Sequence, residues 1–357
     1  MPIGVCVFGA PDFDGHEQVV FAADRQTGLK AIIAIHDTSR GPALGGCRLW
    51  PYVSEDEAVR DVLRLSRAMT YKAALAGLSL GGGKSVILAD PDIPREAFKT
   101  PDLMRAMGRA VERLHGRYIV AEDVGTSVED MGWVRRETAW VAGLPVAVGG
   151  SGDPSPATAY GVFRGIVAAV HHRLRRNTLE GLTVAVQGLG HVGWDLCRRL
   201  VAAGASLFVS DIRPEVVARA VGEFHATPVA ADAIVDAPAE VFAPCALGAV
   251  INDHTIGRLK AVIVAGSANN QLAEPRHGQT LAERGILYVP DYAINVGGLI
   301  NVAAERDPAG YDRDRTFAAI ERIPDTLAAI FQEAEHAGIP TSVAADRLAE
   351  ARLRPAV

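Results

Sequence analysis

Leu182–Asp211, LTVAVQGLGHVGWDLCRRLVAAGASLFVSD, reads as strand, glycine loop, helix, strand and acid in unbroken succession. Leu182 to Gln187 is an apolar, β-branched run of strand length. Gly188-Leu189-Gly190-His191-Val192-Gly193 follows at once, Trp194 to Ala203 is helical in pattern, and Leu207 to Ser210 is a second strand ending at Asp211. A lone G-x-G-x-x-G is weak, but in this context it is the turn that cradles a dinucleotide. Gly188 and Gly190 allow the tight turn and close approach of a pyrophosphate, and Gly193 lets helix and strand pack closely. His191 and Val192 complete the turn, and the helix N-terminus faces the phosphates. Asp211 is placed to accept the ribose hydroxyls and repel a 2′-phosphate, which favours NAD over NADP; Arg213 works against that preference.

Short apolar strands continue at Val241 to Ala243, Ala261 to Ala265 and Ile286 to Val289, alternating with helical stretches as in a doubly wound parallel sheet. Polar loops follow two of them, Gly266 to Asn270 and Asp291 to Asn295. Ligands sit at the carboxyl ends of such strands. Asn269, Asn270 and Asn295 suit a nicotinamide carboxamide, which needs a donor and an acceptor. Thr316 to His336 is a helix delayed or kinked by Pro324, and Thr341 to Leu353 a helix capped by Thr341.

Upstream, Met69–Lys84 (MTYKAALAGLSLGGGK) holds Lys72 and Lys84 in otherwise small or apolar company. A phosphate loop would need glycine where Leu78 stands. A helix end with solvated lysines is one reading; a paired-lysine site, one binding a carboxylate and one kept neutral as a base, is the other. Around this stretch, Gln18 to Ala23 and Leu29 to His36 suggest a hairpin, and Gly41 to Gly46 (GPALGG) a close-packed loop. Ser54 with Glu57 forms a capping box for a helix that ends near Lys72. Ser85 to Leu88 is a short strand and Pro101 to Leu114 a helix. Tyr118 to Ala121 is a strand ending in Glu122-Asp123-Val124-Gly125, where an acid is placed either for catalysis or as a loop cap. Gly143 to Pro156 is rich in Gly, Pro and Ser and reads as a hinge; Thr158 to His171 returns to helix.

The 357 residues suggest two domains of ordinary soluble composition, 49% hydrophobic and 22% charged. A net charge of −6 with both signs interspersed offers no case for nucleic acid or membrane as partner. No apolar run reaches membrane-spanning length, and the N-terminus carries acid rather than base. Cys6, Cys47, Cys197 and Cys245 lack metal-ligand or disulfide spacing, so no metal is expected and a reducing cytoplasm is the simplest compartment.

GPALGG, MTYK, GGGK, AEDVG, the glycine-loop strand, APCALGA, GSANNQL and DYAINVGGLINVA, in this order from about His16 to Leu353, resemble the glutamate/leucine/phenylalanine/valine dehydrogenases, most closely the leucine branch. The resemblance implies reversible NAD-linked oxidative deamination of an L-amino acid to a 2-oxo acid and ammonia. It implies that Lys72 binds the α-carboxylate, Lys84 activates water, Asp123 transfers protons, and Gly45 and Gly46 line the reacting carbon. Leu44, Ala121, Leu299 and Val302 match side-chain pocket positions, all apolar, which points to branched aliphatic substrates with aromatic ones as the alternative. Cys47, Pro51-Tyr52 and Leu299 look like the phenylalanine branch, Ala121 and Trp50 like the leucine branch, and Ala142 like neither. A non-catalytic NAD-binding sensor is the alternative of another class; Lys72, Lys84 and Asp123 are all present against it. A deaminating cyclase or decarboxylase would differ by forming no net NADH with free ammonia.

The expected architecture is two α/β domains with the active site in the cleft between them. Residues 1–142 plus 338–357 form a mixed-sheet catalytic and oligomerisation domain, and 143–337 a Rossmann-type NAD domain, the return of the C-terminus being implied by the resemblance. The family also implies a homo-oligomer, dimer or octamer.

Overall fold

β1 (Gln18–Asp24) and β2 (Leu29–Asp37) pair antiparallel across the turn signalled at Asp24–Gly28. They open a five-stranded mixed sheet, order β1-β2-β4-β3-β5, with β3 Ala43–Trp50, β4 Gly81–Leu88 and β5 Tyr118–Glu122. β3 runs parallel to both β4 and β5. The computed structural model describes residues 7–353, so Cys6 lies outside the described residues.

Two glycine segments depart from expectation. Gly41–Gly46 is not a loop: β3 starts at Ala43, and β4 includes Gly81, Gly82 and Gly83 rather than starting at Ser85. Glycine is poor in strands by propensity. Here tertiary approach overrides propensity, because a Cβ on Gly45 would lie 1.7 Å from the Gly83 carbonyl oxygen, and one on Gly82 2.0 Å from the Thr70 nitrogen.

The helix Glu55–Leu75 covers one face of this sheet, where Val59, Val62 and Leu63 pack on Ile32, Ala34 and Val86. On the other face the helix Pro101–Glu112 packs Leu103, Met104 and Met107 with Ile33, Ile35, Leu49 and Ile87. Alternation along β4 therefore sends Lys84 to the side of the first helix and Ser85 to the other. Ser54 caps that helix by accepting from the Glu57 N–H, while Glu57 reaches the N–H of Val53 rather than of Ser54.

His36, 8% exposed, bonds Thr70 Oγ1 and stacks edge-on against His16. Burial, then the neighbouring His16, hold it down to about 4 against the partial opposition of Asp14. The unfolded chain binds this proton near pH 6.5 and the folded chain only near 4, so stability falls as pH drops through that window. The loss at the bottom of the window is about 3 kcal/mol. Urea titrations between pH 7 and 4 should show a shallower loss in His36→Asn; equal slopes would contradict this account.

The second sheet is six-stranded and wholly parallel, order β11-β10-β9-β6-β7-β8. Its strands are β6 Thr183–Gln187, β7 Ser206–Ser210, β8 Thr227–Pro228, β9 Val241–Pro244, β10 Ile263–Val264 and β11 Leu287–Tyr288. The chain winds outward from β6 to β8, then restarts on the other side at β9, so the switch point lies between the ends of β6 and β9. Pro324 sits in the first turn of the helix Ile323–Ala337, separating it from the helix Arg313–Ile320.

The chain divides into two compact units: Met1–Asp153 with Val302–Arg313 and Arg352–Val357, and Pro154–Asn301 with Asp314–Ala351. The expected boundaries at 142/143 and 337/338 therefore both move. Segment 143–153 stays with the first unit because the Glu305 carboxylate accepts the backbone N–H groups of Gly143, Leu144 and Ser151 and the Ser151 hydroxyl. The helix Thr341–Leu353 joins the second unit up to Ala351. Thr341 donates to the Tyr288 carbonyl rather than capping the helix, and the Tyr292 hydroxyl bonds Asp346.

Candidate active site

In the first unit, Gly46 on β3 faces Lys84 on β4 and Asp123 just after β5: a Cβ there would lie 3.2 Å from Lys84 Nζ and 2.6 Å from the Asp123 Cβ. The missing methyl group leaves the space in which the two side chains meet. Lys84, 5% exposed, places Nζ 3.0 Å from Asp123 Oδ2. The same oxygen accepts Arg48 Nε at 3.0 Å. Burial pushes the Asp123 carboxyl up, but Lys84 and Arg48 outweigh it and hold the group below the usual carboxylate range. Glu122 moves the other way, raised by burial and by Asp153 and Asp123. Consecutive acids are thus shifted in opposite directions, Asp123 towards its ionised form.

Beneath the glycines, Tyr118 is fully buried, its ring 2.8 Å from where a Gly83 Cβ would stand and its hydroxyl donating to the Gly45 carbonyl at 2.8 Å. Leu44 and Ala121, 1% and 9% exposed, lie on β3, which carries Gly45 and Gly46, and on β5, which ends just before Asp123. Lys72 is half-buried in the last turn of the helix Glu55–Leu75, two residues past Thr70, which packs on Gly82. Cys47 is buried, its thiol pushed up to about 12, which suits a packing residue. Arg48 escaped the sequence reading; its signal was a lone cation in the apolar, glycine-rich run of β3.

In the second unit, the helix His191–Ala202 starts directly behind the glycine loop. Gly188 has φ +94°, and a Cβ there would meet Ala246 after β9 at 2.7 Å. A Cβ on Gly193 would lie 2.0 Å from the Gly188 carbonyl oxygen, whereas nothing stands within 4 Å of one on Gly190. The two tight glycines hold the turn, and the open one leaves room for a phosphate at the helix N-terminus beside the switch point. His191 is exposed and Val192 half-buried there. Asp211 Oδ2 accepts the Leu189 N–H at 2.7 Å and Oδ1 accepts Arg213 Nε at 3.0 Å. Burial raises the Asp211 carboxyl, but the Arg213 and backbone bonds prevail and keep it ionised. After β10, Asn269 and Asn270 are exposed, and the buried Asn295 donates to Asn269 Oδ1 at 2.8 Å while its own Oδ1 has no partner among the described residues. An amide oxygen without a partner beside two exposed asparagines fits a carboxamide ligand. Leu299 and Val302, 9% and 8% exposed, share a face of the helix Gly297–Ala303, within which the chain passes from the second unit back to the first. The donor set therefore fits a nicotinamide dinucleotide.

A buried lysine–carboxylate pair thus stands in one unit and a dinucleotide turn in the other. Residues 16–140 match the family model described as Glu/Leu/Phe/Val dehydrogenase, dimerisation domain, and residues 149–220 and 212–352 match Glutamate/Leucine/Phenylalanine/Valine dehydrogenase. The chain belongs to this family. It is 55% identical to a leucine dehydrogenase of Geobacillus stearothermophilus over 95% of this chain and 90% of that protein. It is 54% identical to a leucine dehydrogenase of Thermoactinomyces intermedius, covering 95% and 91%. The crystal structure of L-tryptophan dehydrogenase from Nostoc punctiforme superposes with a TM-score of 0.83 at 48% identity, covering 95% of this chain and 96% of that one. Among the described residues no helix is long and apolar enough to cross a membrane.

Proposed function

We propose that this enzyme catalyses NAD-dependent oxidative deamination of leucine and other branched-chain amino acids. The observation that carries the reading is the Lys84–Asp123 pair, 3.0 Å apart over a glycine, on strands whose neighbouring side chains Leu44 and Ala121 are apolar. The leucine dehydrogenases among the relatives support the substrate. Lys72 binds the α-carboxylate. A bound nicotinamide dinucleotide supplies the hydride acceptor. Lys84 is the base that takes a proton from the water that adds to the oxidised α-carbon. Asp123 enters ionised and accepts N–H hydrogen bonds of the amine through Oδ1, which accepts no hydrogen bond among the described residues. It relays protons as ammonia leaves. Gly45 and Gly46 leave room for the reacting carbon, and the apolar Leu299 and Val302 are assigned to the substrate side chain.

Gly188, Gly190, His191, Val192 and Gly193 hold the pyrophosphate, Asp211 the ribose, and Asn269, Asn270 and Asn295 the carboxamide. Asp211 favours NAD. We place the enzyme in the cytoplasm as a homo-oligomer; the buried thiols of Cys47 and Cys197 and the dimerisation-domain match support this. Aromatic substrates are the second reading, supported by the tryptophan dehydrogenase relative.

The test is initial NADH formation at alkaline pH with leucine, valine, isoleucine, phenylalanine, tryptophan and glutamate, using NAD and NADP in parallel. Leucine and its branched relatives should lead, with NAD. Phenylalanine or tryptophan leading would replace the substrate, because apolar pockets separate such ligands by only ~1–3 kcal/mol per methylene. No NADH from any amino acid would overturn the reaction itself.

A further inference from the structure

We propose that Arg48, braced by Asp61 and Tyr52, is a positioning residue that fixes which oxygen of Asp123 faces the reaction and weakens the hold of Asp123 on the Lys84 proton. The inference rests on the catalytic roles proposed above for Lys84 and Asp123. Arg48 forks: Nε donates to Asp123 Oδ2 at 3.0 Å and Nη1 to Asp61 Oδ2 at 2.8 Å. The Tyr52 hydroxyl donates to the same Asp61 oxygen at 2.7 Å, and Arg64 donates to the other at 3.1 Å. The Arg48 and Asp61 side chains are 22% and 12% exposed, so the chain runs largely beneath the surface.

Two consequences follow. Both cations on Asp123 bind one oxygen, Oδ2, and Oδ1, which accepts no hydrogen bond among the described residues, is left for the substrate. The two cationic nitrogens are also no more than about 6 Å apart, since each lies 3.0 Å from Oδ2, and like charges at that range disfavour each other. A guanidinium does not give up its proton, so relief comes from the lysine. Asp61 holds Arg48 in place while adding a more distant negative charge. Burial works against the Arg48 charge, but Asp123 and Asp61 outweigh it and keep the guanidinium ionised. Other charged or titratable groups on elements packed against β4 include Lys30, His36 and Asp37 on β2, Cys47 on β3, Tyr118 and Glu122 on β5, and Glu55, Asp56, Glu57, Arg60, Arg67, Tyr71 and Lys72 on the covering helix.

The experiment compares wild type, Arg48→Gln, Arg48→Lys and Tyr52→Phe by kcat and KM from pH 7 to 11, with whichever amino acid wild type turns over fastest. In Arg48→Gln the rising limb of kcat should move to higher pH by about one unit, the size of shift expected from removing one nearby charge, with KM changing less. Arg48→Lys keeps the charge but loses the fork, so its limb should stay near that of wild type while its plateau falls. Tyr52→Phe should shift the limb less than Arg48→Gln. An Arg48→Gln limb that coincides with wild type, with only the plateau lowered, would overturn the proposal and leave Arg48 a structural residue. Wild type inactive on every amino acid would instead remove the catalytic reading on which it rests.

Discussion

Lys84→Ala is expected to lower kcat by about 10³-fold or more, the range in which a positioned general base contributes. The argument is geometric. Lys84 Nζ reaches Asp123 across a gap that exists because Gly46 has no side chain, and Asp123 itself is held on Oδ2 by Arg48. Removing the lysine takes away the proton acceptor yet leaves Asp123 paired, so no uncompensated buried charge remains to unfold the sheet. The variant should therefore keep its near-UV circular dichroism while losing turnover. KM should move much less than kcat, because Lys72 still holds the carboxylate in the proposed scheme. A variant retaining more than a tenth of wild-type kcat would take Lys84 out of the chemistry.

Gly45→Ala is expected to be the most damaging small substitution for folding. The new methyl carbon would stand 1.7 Å from the Gly83 carbonyl oxygen and 2.6 Å from its carbon. Both are backbone atoms of the adjoining parallel strand, so no rotamer change relieves the clash. β3 would have to shift while paired on both edges, to β4 and to β5, and the bond from the Tyr118 hydroxyl to the carbonyl of residue 45 would be disturbed with it. We expect a loss of about 4 kcal/mol or more, at the severe end of single substitutions. Gly132, in the helix Val128–Val134, is the control, because a methyl group added there would meet nothing within 4 Å. There alanine should be neutral or stabilise by about 0.5–1 kcal/mol. Chemical denaturation of the two variants beside wild type checks both; a Gly45→Ala protein as stable as wild type would refute the packing argument.

The second unit was legible because its signals are local: the glycine loop, its strand and its acid lie within one unit of chain. Lys84 and Asp123, proposed above as the chemical pair, were legible as types in suggestive places, but their contact was not, since they are brought together by strand pairing between segments distant in sequence. β3 was misread for a related reason. Its Gly45 and Gly46 lower strand propensity, and what compensates is an approach to Gly83 and Lys84 that no local pattern records. Arg48 was invisible because its role depends on partners 13 and 75 residues away. The helix Thr341–Leu353 was found, but its attachment rests on Tyr288 and Tyr292, some 50 residues earlier.

The grip of Glu305 on Gly143, Leu144 and Ser151 has a bearing on biosynthesis. Its partner at Gly143 lies 162 residues upstream, with the whole of the parallel sheet made in the interval. At ribosomal speeds that is a wait of roughly 10–30 s between emergence of the segment and arrival of its anchor. During that time the nascent first unit lacks its last strap, and residues 143–151 expose N–H groups that find their acceptors only when the return segment is translated. The parallel sheet can close as one continuous run before then. The order of maturation is thus written into the route of the chain: each unit waits for a returning segment, the first for Val302–Arg313 and the second for Asp314–Ala351.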